Sequence, residues 1–327
     1  MVQKKVAIVT GANTGIGRET ALELARKGLK VFLACRDLDR GRHAVNYILD
    51  TCPGADVELL QLDLQNLESV RRCASEFKSR KLPLNILVNN AGLNGKTGSS
   101  YSPEGIHVVP QVNFLGPYTF TRLLEDNLTL GAPSRVVNVS SIMHRLAEKF
   151  SPDDYFTNRK HGVYRNSKLA NVLFTHEAQL RWQGKGIESS AVDPGSVSSD
   201  IFRADSSPVR LVVKAFYAPT WDGAKIVLHA ATAPYASDKK DSKPFRFFAR
   251  GAFASPVITA TPPALLSYPQ AVVMALASII DWPVRRLSGR TLWSEVKEVP
   301  AHKQAYDREL SKQLWNKAAV LAGFETQ

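Results

Sequence analysis

The sequence predicts an α/β protein: a doubly wound parallel sheet forming a single domain, with an apolar insertion before its last strand. Three observations carry this. Short apolar runs alternate with amphipathic segments over the first two-thirds of the chain. Those runs are apolar throughout, the pattern of strands covered on both faces. The first of them, Val6-Ala7-Ile8-Val9, leads through a glycine-rich turn into a helical pattern. A length of 327 residues suits one such domain with additions.

In chain order, Val6–Val9 is read as a strand and Arg18–Lys27 as an amphipathic helix. Val31–Cys35 follows as a strand, Arg40–Asp50 as a helix and Val57–Leu62 as a strand. Leu67–Lys78 is helical, Asn85–Asn89 a strand, and Gln111–Asn127 helical with a start or bend at Pro117, whose ring removes a backbone donor. Arg135–Val139 is a strand, Tyr164–Trp182 a long helix, Ile187–Val192 a strand and Trp221–Ala231 a helix. Ser288-Gly289-Arg290-Thr291-Leu292 reads as a turn into a final edge strand, and Ala305–Leu321 as a closing amphipathic helix.

The domain is expected to comprise 1–236 plus 288–327, with 237–287 inserted. Within the insertion Lys239, Lys240, Lys243, Arg246 and Arg250 face one Asp241, and 251–280 contain no Asp, Glu, Lys or Arg. That pairing suggests an apolar lid or contact with a membrane surface. Ala264–Ile280 is about the shortest run able to span a bilayer, and Pro269 interrupts it.

Net charge is +12 and 44% of residues are hydrophobic. The basic residues are spread along the chain, and no zinc-finger or aromatic-basic motif marks a nucleic-acid partner. Cys35, Cys52 and Cys73 are odd in number and lack metal-ligand spacing, so they read as reduced thiols, with no metal site. A reducing location follows: the cytoplasm, or the cytoplasmic face of an intracellular membrane. The N-terminus runs straight into a strand, unlike a cleavable signal.

The turn after the first strand contains Gly11, Asn13, Thr14, Gly15, Ile16 and Gly17. Glycines there let backbone approach a pyrophosphate, and the following helix N-terminus offers free N–H groups. At the end of the second strand, where a carboxylate would bond the ribose hydroxyls of NAD, stands Cys35, followed by Arg36. A guanidinium suits the 2′-phosphate of NADP(H), the expected cofactor, and Arg18 offers a second positive group. Asp37 follows Arg36, and the alternative is an Arg36–Asp37 surface pair with no role in selectivity.

The ordered set Thr10–Gly17, Asn89-Asn-Ala-Gly92, Val112-Asn113, Asn138-Val-Ser-Ser141, Tyr164-Arg-Asn-Ser-Lys168 and Asp193-Pro-Gly195 resembles the short-chain dehydrogenases/reductases. The likeness covers about 4–236 and resumes near 287. Leu33-Ala-Cys-Arg-Asp37 and Ser167-Lys-Leu-Ala-Asn-Val-Leu-Phe-Thr175 resemble the retinol dehydrogenases; Lys81–Asn89 and Gln313–Lys317 also resemble the X-linked dehydrogenase/reductase member of that group. The resemblance implies a Rossmann-type sheet.

Tyr164 and Lys168 are four apart and share a helix face. A phenol is a poor acid–base at neutral pH, and a neighbouring ammonium stabilises its phenolate. By resemblance, Lys168 also bonds the nicotinamide ribose, Ser141 rather than Ser140 orients the substrate oxygen, and Asn113 holds a water extending the proton relay. The resemblance further implies an adenine pocket at Asp63 and Leu64, and a ribose-side turn at Asn90, Ala91 and Gly92. It places the carboxamide loop at Pro194, Gly195, Val197 and Ser199, where Ser199 replaces the usual Thr. Phe114 stands where the subfamily often has His.

The expected activity is NADP(H)-dependent interconversion of an alcohol with an aldehyde or ketone. The subfamily likeness and the apolar insertion imply a small lipophilic, retinoid- or prenyl-like substrate. One alternative is an NADP(H)-binding sensor or scaffold without turnover. Another is a carbon–carbon double-bond reductase of the protochlorophyllide reductase type. Homo-oligomerisation through the helix bearing Tyr164 is open.

Overall fold

The computed structural model describes residues 4–94, 101–147, 149–157, 162–202, 206–207, 210–211, 214, 217–234, 245–250 and 296–326. Its sheet has the order β3-β2-β1-β4-β5-β6-β7-β8. The strands are β1 (Val6–Thr10), β2 (Lys30–Cys35), β3 (Asp56–Gln61), β4 (Ile86–Asn89), β5 (Ser134–Val139), β6 (Ile187–Asp193), β7 (Arg246–Arg250) and β8 (Val296–Glu298). Neighbours from β3 to β7 are parallel, and β8 returns antiparallel to β7. The order reverses at β1, where the next crossover goes to β4; that is where ligands bind in such sheets.

The helices are α1 (Gly15–Arg26), α2 (Leu38–Thr51), α3 (Leu67–Ser79), α4 (108–123), α5 (Glu125–Leu130), α6 (Pro152–Thr157), α7 (Val163–Arg181), α8 (Thr220–Thr232) and α9 (Arg308–Ala322). Two apolar cores lie on opposite sheet faces. One holds Phe32, Leu87, Val136, Leu169 and Trp315; the other holds Leu24, Leu33, Val137, Ile226 and Phe248. This explains the uninterrupted apolar strands, since alternate side chains serve alternate cores.

Two expectations change. The sequence places the basic stretch 239–250 in the insertion, whereas its end is β7, paired with β6 from Ser190↔Arg246 to Asp193↔Ala249. Phe247 and Phe248 enter opposite cores, and Arg246 is met by Glu188 at 3.3 Å and Glu298 at 3.0 Å. Its charge is thus balanced by neighbouring strands rather than exposed. Ala264–Ile280 in the insertion, and the expected turn at 288–292 that follows it, lie outside the described residues. No described helix is long and apolar enough to cross a membrane.

The second change concerns α4, which starts at Val108, before the expected Gln111. It is π-wound over Gln111–Leu115, and the Gly116 amide reaches the Gln111 carbonyl. Pro117 cannot donate to the Asn113 carbonyl, so a regular α pattern is interrupted there and the wider turn absorbs the break. Gly116 also packs where a Cβ would lie 2.7 Å from the Leu64 carbonyl oxygen, holding the end of β3 against α4.

Helix α9 closes the sheet face carrying α4 and α7. The Trp315 ring meets Tyr118 at 5.1 Å and Phe174 at 5.7 Å, and the Arg122 and Arg181 guanidinium groups lie 4.8 Å from its centre. Asp307 caps its first turn through the Leu310 amide, and Gly323 ends it in the left-handed region.

Candidate active site

A cleft of about 570 Å³ opens at the C-terminal ends of β1, β2, β4, β5 and β6. Its floor is the turn from β1 to α1. Gly11 has φ +64°, and a Cβ there would lie 2.9 Å from the Ala91 Cα. A Cβ on Gly17 would lie 2.5 Å from Asn90 Nδ2 and 2.6 Å from the Gly11 carbonyl oxygen. These two glycines therefore serve close packing of the turn against the Asn89–Gly92 segment. Thr10 ties the same two segments: its hydroxyl accepts from the Asn90 and Ala91 amides at 3.0 and 3.1 Å, and Asn90 Nδ2 donates to its carbonyl at 2.9 Å.

Gly15 plays a different part. It has φ +60°, and the nearest atom to a Cβ would be Ser199 Cβ at 3.7 Å, across the cleft mouth. Thr14 caps α1 without a side-chain hydrogen bond, and the first turn carries no acidic residue. The helix's leading N–H groups thus face the cleft without side-chain acceptors, which fits a pyrophosphate.

Arg36 and Asp37 line the cleft beyond the end of β2. The Asp37 carboxylate caps α2, accepting from the Arg40 amide at 3.0 Å. The Cys35 sulfur accepts from the Ala12 and Asn13 amides, and burial pushes its thiol up to about 12. Arg18, expected as the second positive group, does not line the cleft: it donates twice to Glu19 and stacks 4.0 Å over the Tyr47 ring. Arg40 lines it instead, bonded to Asp200 at 2.7 Å. The sequence held a signal for Arg40, four residues beyond Arg36 in the first turn of α2.

The catalytic candidates meet at the other end of the cleft, where Ser141, Tyr164 and Lys168 all line it. Ser140 lines the cleft as well, but its hydroxyl is buried and donates to the Lys168 carbonyl at 2.8 Å. The Ser141 hydroxyl accepts from the Met143 amide at 3.3 Å and is hydrogen-bonded to Tyr164. Asn89, Asn138 and Thr175 form a buried amide chain beneath, with bonds of 2.9 and 3.0 Å, that locks β4, β5 and α7 in register.

Lys168 is buried, and its ammonium donates to the Val139 carbonyl at 2.9 Å, 5.5 Å from the Tyr164 ring centre. Burial lowers its pKa to about 8, against a raising contribution from Asp193. Burial likewise raises the Tyr164 phenol; the Ser141 bond lowers it and the Asp193 carboxylate raises it again. The Lys168 ammonium is thus anchored on β5 while remaining beside the phenol ring.

Asn113 is fixed by a network of its own. Its amide is bonded on both sides to the Leu93 peptide, at 2.7 and 2.9 Å, and donates to Ser167 at 2.9 Å; Ser167 in turn donates to the Tyr164 carbonyl at 2.7 Å. The side chain thus braces the start of α7 against the Gly92 turn, and it does not line the cleft. A Cβ on Gly92 would lie 3.4 Å from Asn113 Oδ1 and 3.6 Å from Lys168 Nζ.

Asp63 and Leu64, Asn90, Ala91 and Gly92, and Pro194, Gly195, Val197 and Ser199 all line the cleft, together with Asn13, Thr14 and Ile16. The 194–199 loop is held by the Ser198 amide on the Ala218 carbonyl at 2.8 Å and by close approach of Gly223 to Val197. Asp193, noted in sequence only within a motif, is a buried carboxylate at the end of β6. Its pKa is raised to about 6 by burial, against lowering by the Gly195 and Ile142 amides, Arg145 and Lys168.

Comparison with known proteins agrees with this geometry. The family described as short chain dehydrogenase matches residues 5–209. Retinol dehydrogenase 12 of Bos taurus is 40% identical over 235 residues, covering 70% of this chain and 73% of that protein. The WW domain-containing oxidoreductase of Gallus gallus is 41% identical over 206 residues, covering 59% of this chain and 49% of its own. Among solved structures, an uncharacterized protein from Mycobacterium paratuberculosis aligns with TM-score 0.68 and 26% identity over 99% of this chain and 95% of that one. A provisionally named NAD(P)-dependent gluconate 5-dehydrogenase from Beutenbergia cavernae, with NADP bound, aligns with TM-score 0.57 and 26% identity over 73% of this chain and 93% of its own. With that sheet order, that phosphate turn and the Ser141, Tyr164 and Lys168 set in one cleft, the chain belongs to the short-chain dehydrogenase/reductase family of oxidoreductases, in the retinol dehydrogenase subfamily.

Proposed function

We propose that this oxidoreductase uses NADP(H) to interconvert a small lipophilic alcohol with its aldehyde or ketone. The observation that carries the reading is one cleft lined at one end by the phosphate turn with Arg36 and Arg40, and at the other by Ser141, Tyr164 and Lys168. A bound nicotinamide dinucleotide would supply or accept the hydride. The turn at Thr14–Ile16 and the free N-terminus of α1 would hold its pyrophosphate, and Arg36 its 2′-phosphate through charge-assisted bonds. The absence of a carboxylate at Cys35 supports NADP(H) over NAD(H).

For the proton, the Ser141 hydroxyl accepts from the Met143 amide and donates to the Tyr164 oxygen, and a substrate oxygen entering between them would take over that hydrogen. Tyr164, bonded to Ser141, protonates that oxygen as negative charge develops. Lys168, released from the Val139 carbonyl toward the ribose hydroxyls, would bring its ammonium to the phenol and lower the phenol's pKa. The apolar run 251–280 and the retinol dehydrogenase relatives support a lipophilic substrate, and the same run supports docking at the cytoplasmic face of a membrane.

The test is NADPH oxidation with a panel of apolar aldehydes, wild type beside Tyr164→Phe and Arg36→Glu, with NADH for comparison. Turnover preferring NADPH, abolished by Tyr164→Phe and shifted toward NADH by Arg36→Glu, is expected. Tight NADPH binding with no turnover across the panel would favour a sensor.

A further inference from the structure

We infer that His144 is a positioning residue for Ser141: its imidazole, bonded to the Ser141 carbonyl and to the His302 amide, ties the serine's loop to the segment that follows β8. This rests on the oxidoreductase reading above and adds a residue outside the catalytic set.

His144 is fully buried in the turn Ile142–Leu146 that follows β5. Its Nδ1 lies 2.6 Å from the Ser141 carbonyl oxygen, which can only accept, so Nδ1 carries the hydrogen. Its Nε2 lies 3.1 Å from the His302 backbone nitrogen, which can only donate, so Nε2 is bare. Both contacts require the same neutral tautomer. An imidazolium would set an N–H against the His302 N–H. Burial and the Arg145 charge agree, lowering the His144 pKa to about 3.

The Ser141 carbonyl also accepts from the His144 amide at 3.0 Å, so the Ser141–Ile142 peptide plane is fixed twice. With that plane fixed, the Ser141 hydroxyl is aimed at the Met143 amide and Tyr164. The Phe247 ring, 4.9 Å away by centroids, packs on the imidazole. The far anchor is independently held. His302 is buried and its Nδ1 accepts from the Gln304 amide at 3.4 Å, while the Ala301 amide donates to the Tyr306 hydroxyl at 3.0 Å and Val299 to the Phe247 carbonyl at 2.9 Å. Residues 251–295 join β7 to β8, so this anchor follows, in the chain, the insertion 237–287 that the sequence assigns to substrate or membrane contact.

The experiment compares wild type with His144→Asn, His144→Gln and His144→Phe in the NADPH-oxidation assay, alongside NADPH affinity and thermal midpoint. Asn keeps an N–H donor near the Nδ1 place, Gln puts its polar end near the Nε2 place, and Phe keeps only the ring. A fall in kcat of about 10- to 100-fold is expected for Phe and Gln, the scale of a roughly 1 Å misplacement, with Asn within a few-fold of wild type and NADPH affinity unchanged in all three. Equal kcat in Phe and wild type, or kcat loss in all three that tracks the thermal midpoint, would overturn the inference. A second readout needs no turnover. Nitrogen-15 spectra should show His144 protonated at Nδ1 from pH 6 to 9, and the Ile142 amide shifted in Phe but not in Asn. A ring protonated at Nε2, or titrating in that range, overturns the link. An inactive wild type with the expected spectra counts against the oxidoreductase reading alone.

Discussion

Gly17→Ala isolates the packing role of the phosphate turn. The added Cβ would sit 2.5 Å from Asn90 Nδ2 and 2.6 Å from the Gly11 carbonyl oxygen, and the second of these is backbone. In an exposed helix Ala would gain about 1 kcal/mol over Gly. Here overpacking costs about 1–3 kcal/mol. Displacing Asn90 also strains its 2.9 Å bond to the Thr10 carbonyl, worth about 1 kcal/mol. The clash wins, and the net loss is about 1–3 kcal/mol. A midpoint drop of several degrees follows, together with at least about a tenfold weaker NADPH affinity, since about 1.4 kcal/mol of loop displacement suffices for that. Gly41→Ala is the control. Its Cβ would also approach to 2.5 Å, but of Leu59 Cδ1, the end of a side chain that can swing away. Its midpoint should move little and its NADPH affinity not at all. Thermal unfolding and NADPH fluorescence titration on both variants decide the matter. A Gly17→Ala protein as stable and as tight as wild type would refute the close-packing argument.

Asp193→Asn tests the buried carboxylate. The folded pKa of about 6 lies above the ordinary 3.8, so the folded state holds the extra proton between those values, and ionisation above pH 6 opposes folding. Relative to the Asn variant, wild type should gain stability as pH falls from about 6.5 to 4, by roughly 3 kcal/mol for a shift near two units; a pH-independent difference in denaturant midpoints would count against it. Trp315→Ala removes the ring that Arg122, Arg181, Tyr118 and Phe174 surround, and should cost about 3–5 kcal/mol in chemical denaturation. Ser167→Ala leaves the Asn113 amide without its bond to α7 and should lower kcat more than it raises the aldehyde KM, measured by steady-state kinetics.

Much of the molecule is legible in the sequence because its signals are local. Apolar runs of strand length, the Gly11–Gly17 turn before α1 and the Tyr164–Lys168 spacing each lie within one element, where backbone periodicity and glycine dihedrals act without help from afar. Arg36 likewise needs only its place at the end of β2.

What tertiary structure decided are the contacts between residues far apart in the chain. Arg246–Arg250 is basic by itself and becomes an inner strand only because Glu188 and Glu298 flank it and two cores receive Phe247 and Phe248. Arg18 sits next to the phosphate turn yet is drawn to Glu19 and the Tyr47 ring, leaving its expected place to Arg40. Asn113 is a brace because Leu93 and Ser167 meet it across the fold. Lys168 is anchored beside Tyr164 by the Val139 carbonyl on the neighbouring strand. In each case the sequence determined which groups exist, and the packing of distant elements, through which a charge or hydrogen bond finds its lowest-energy partner, determined where each one points.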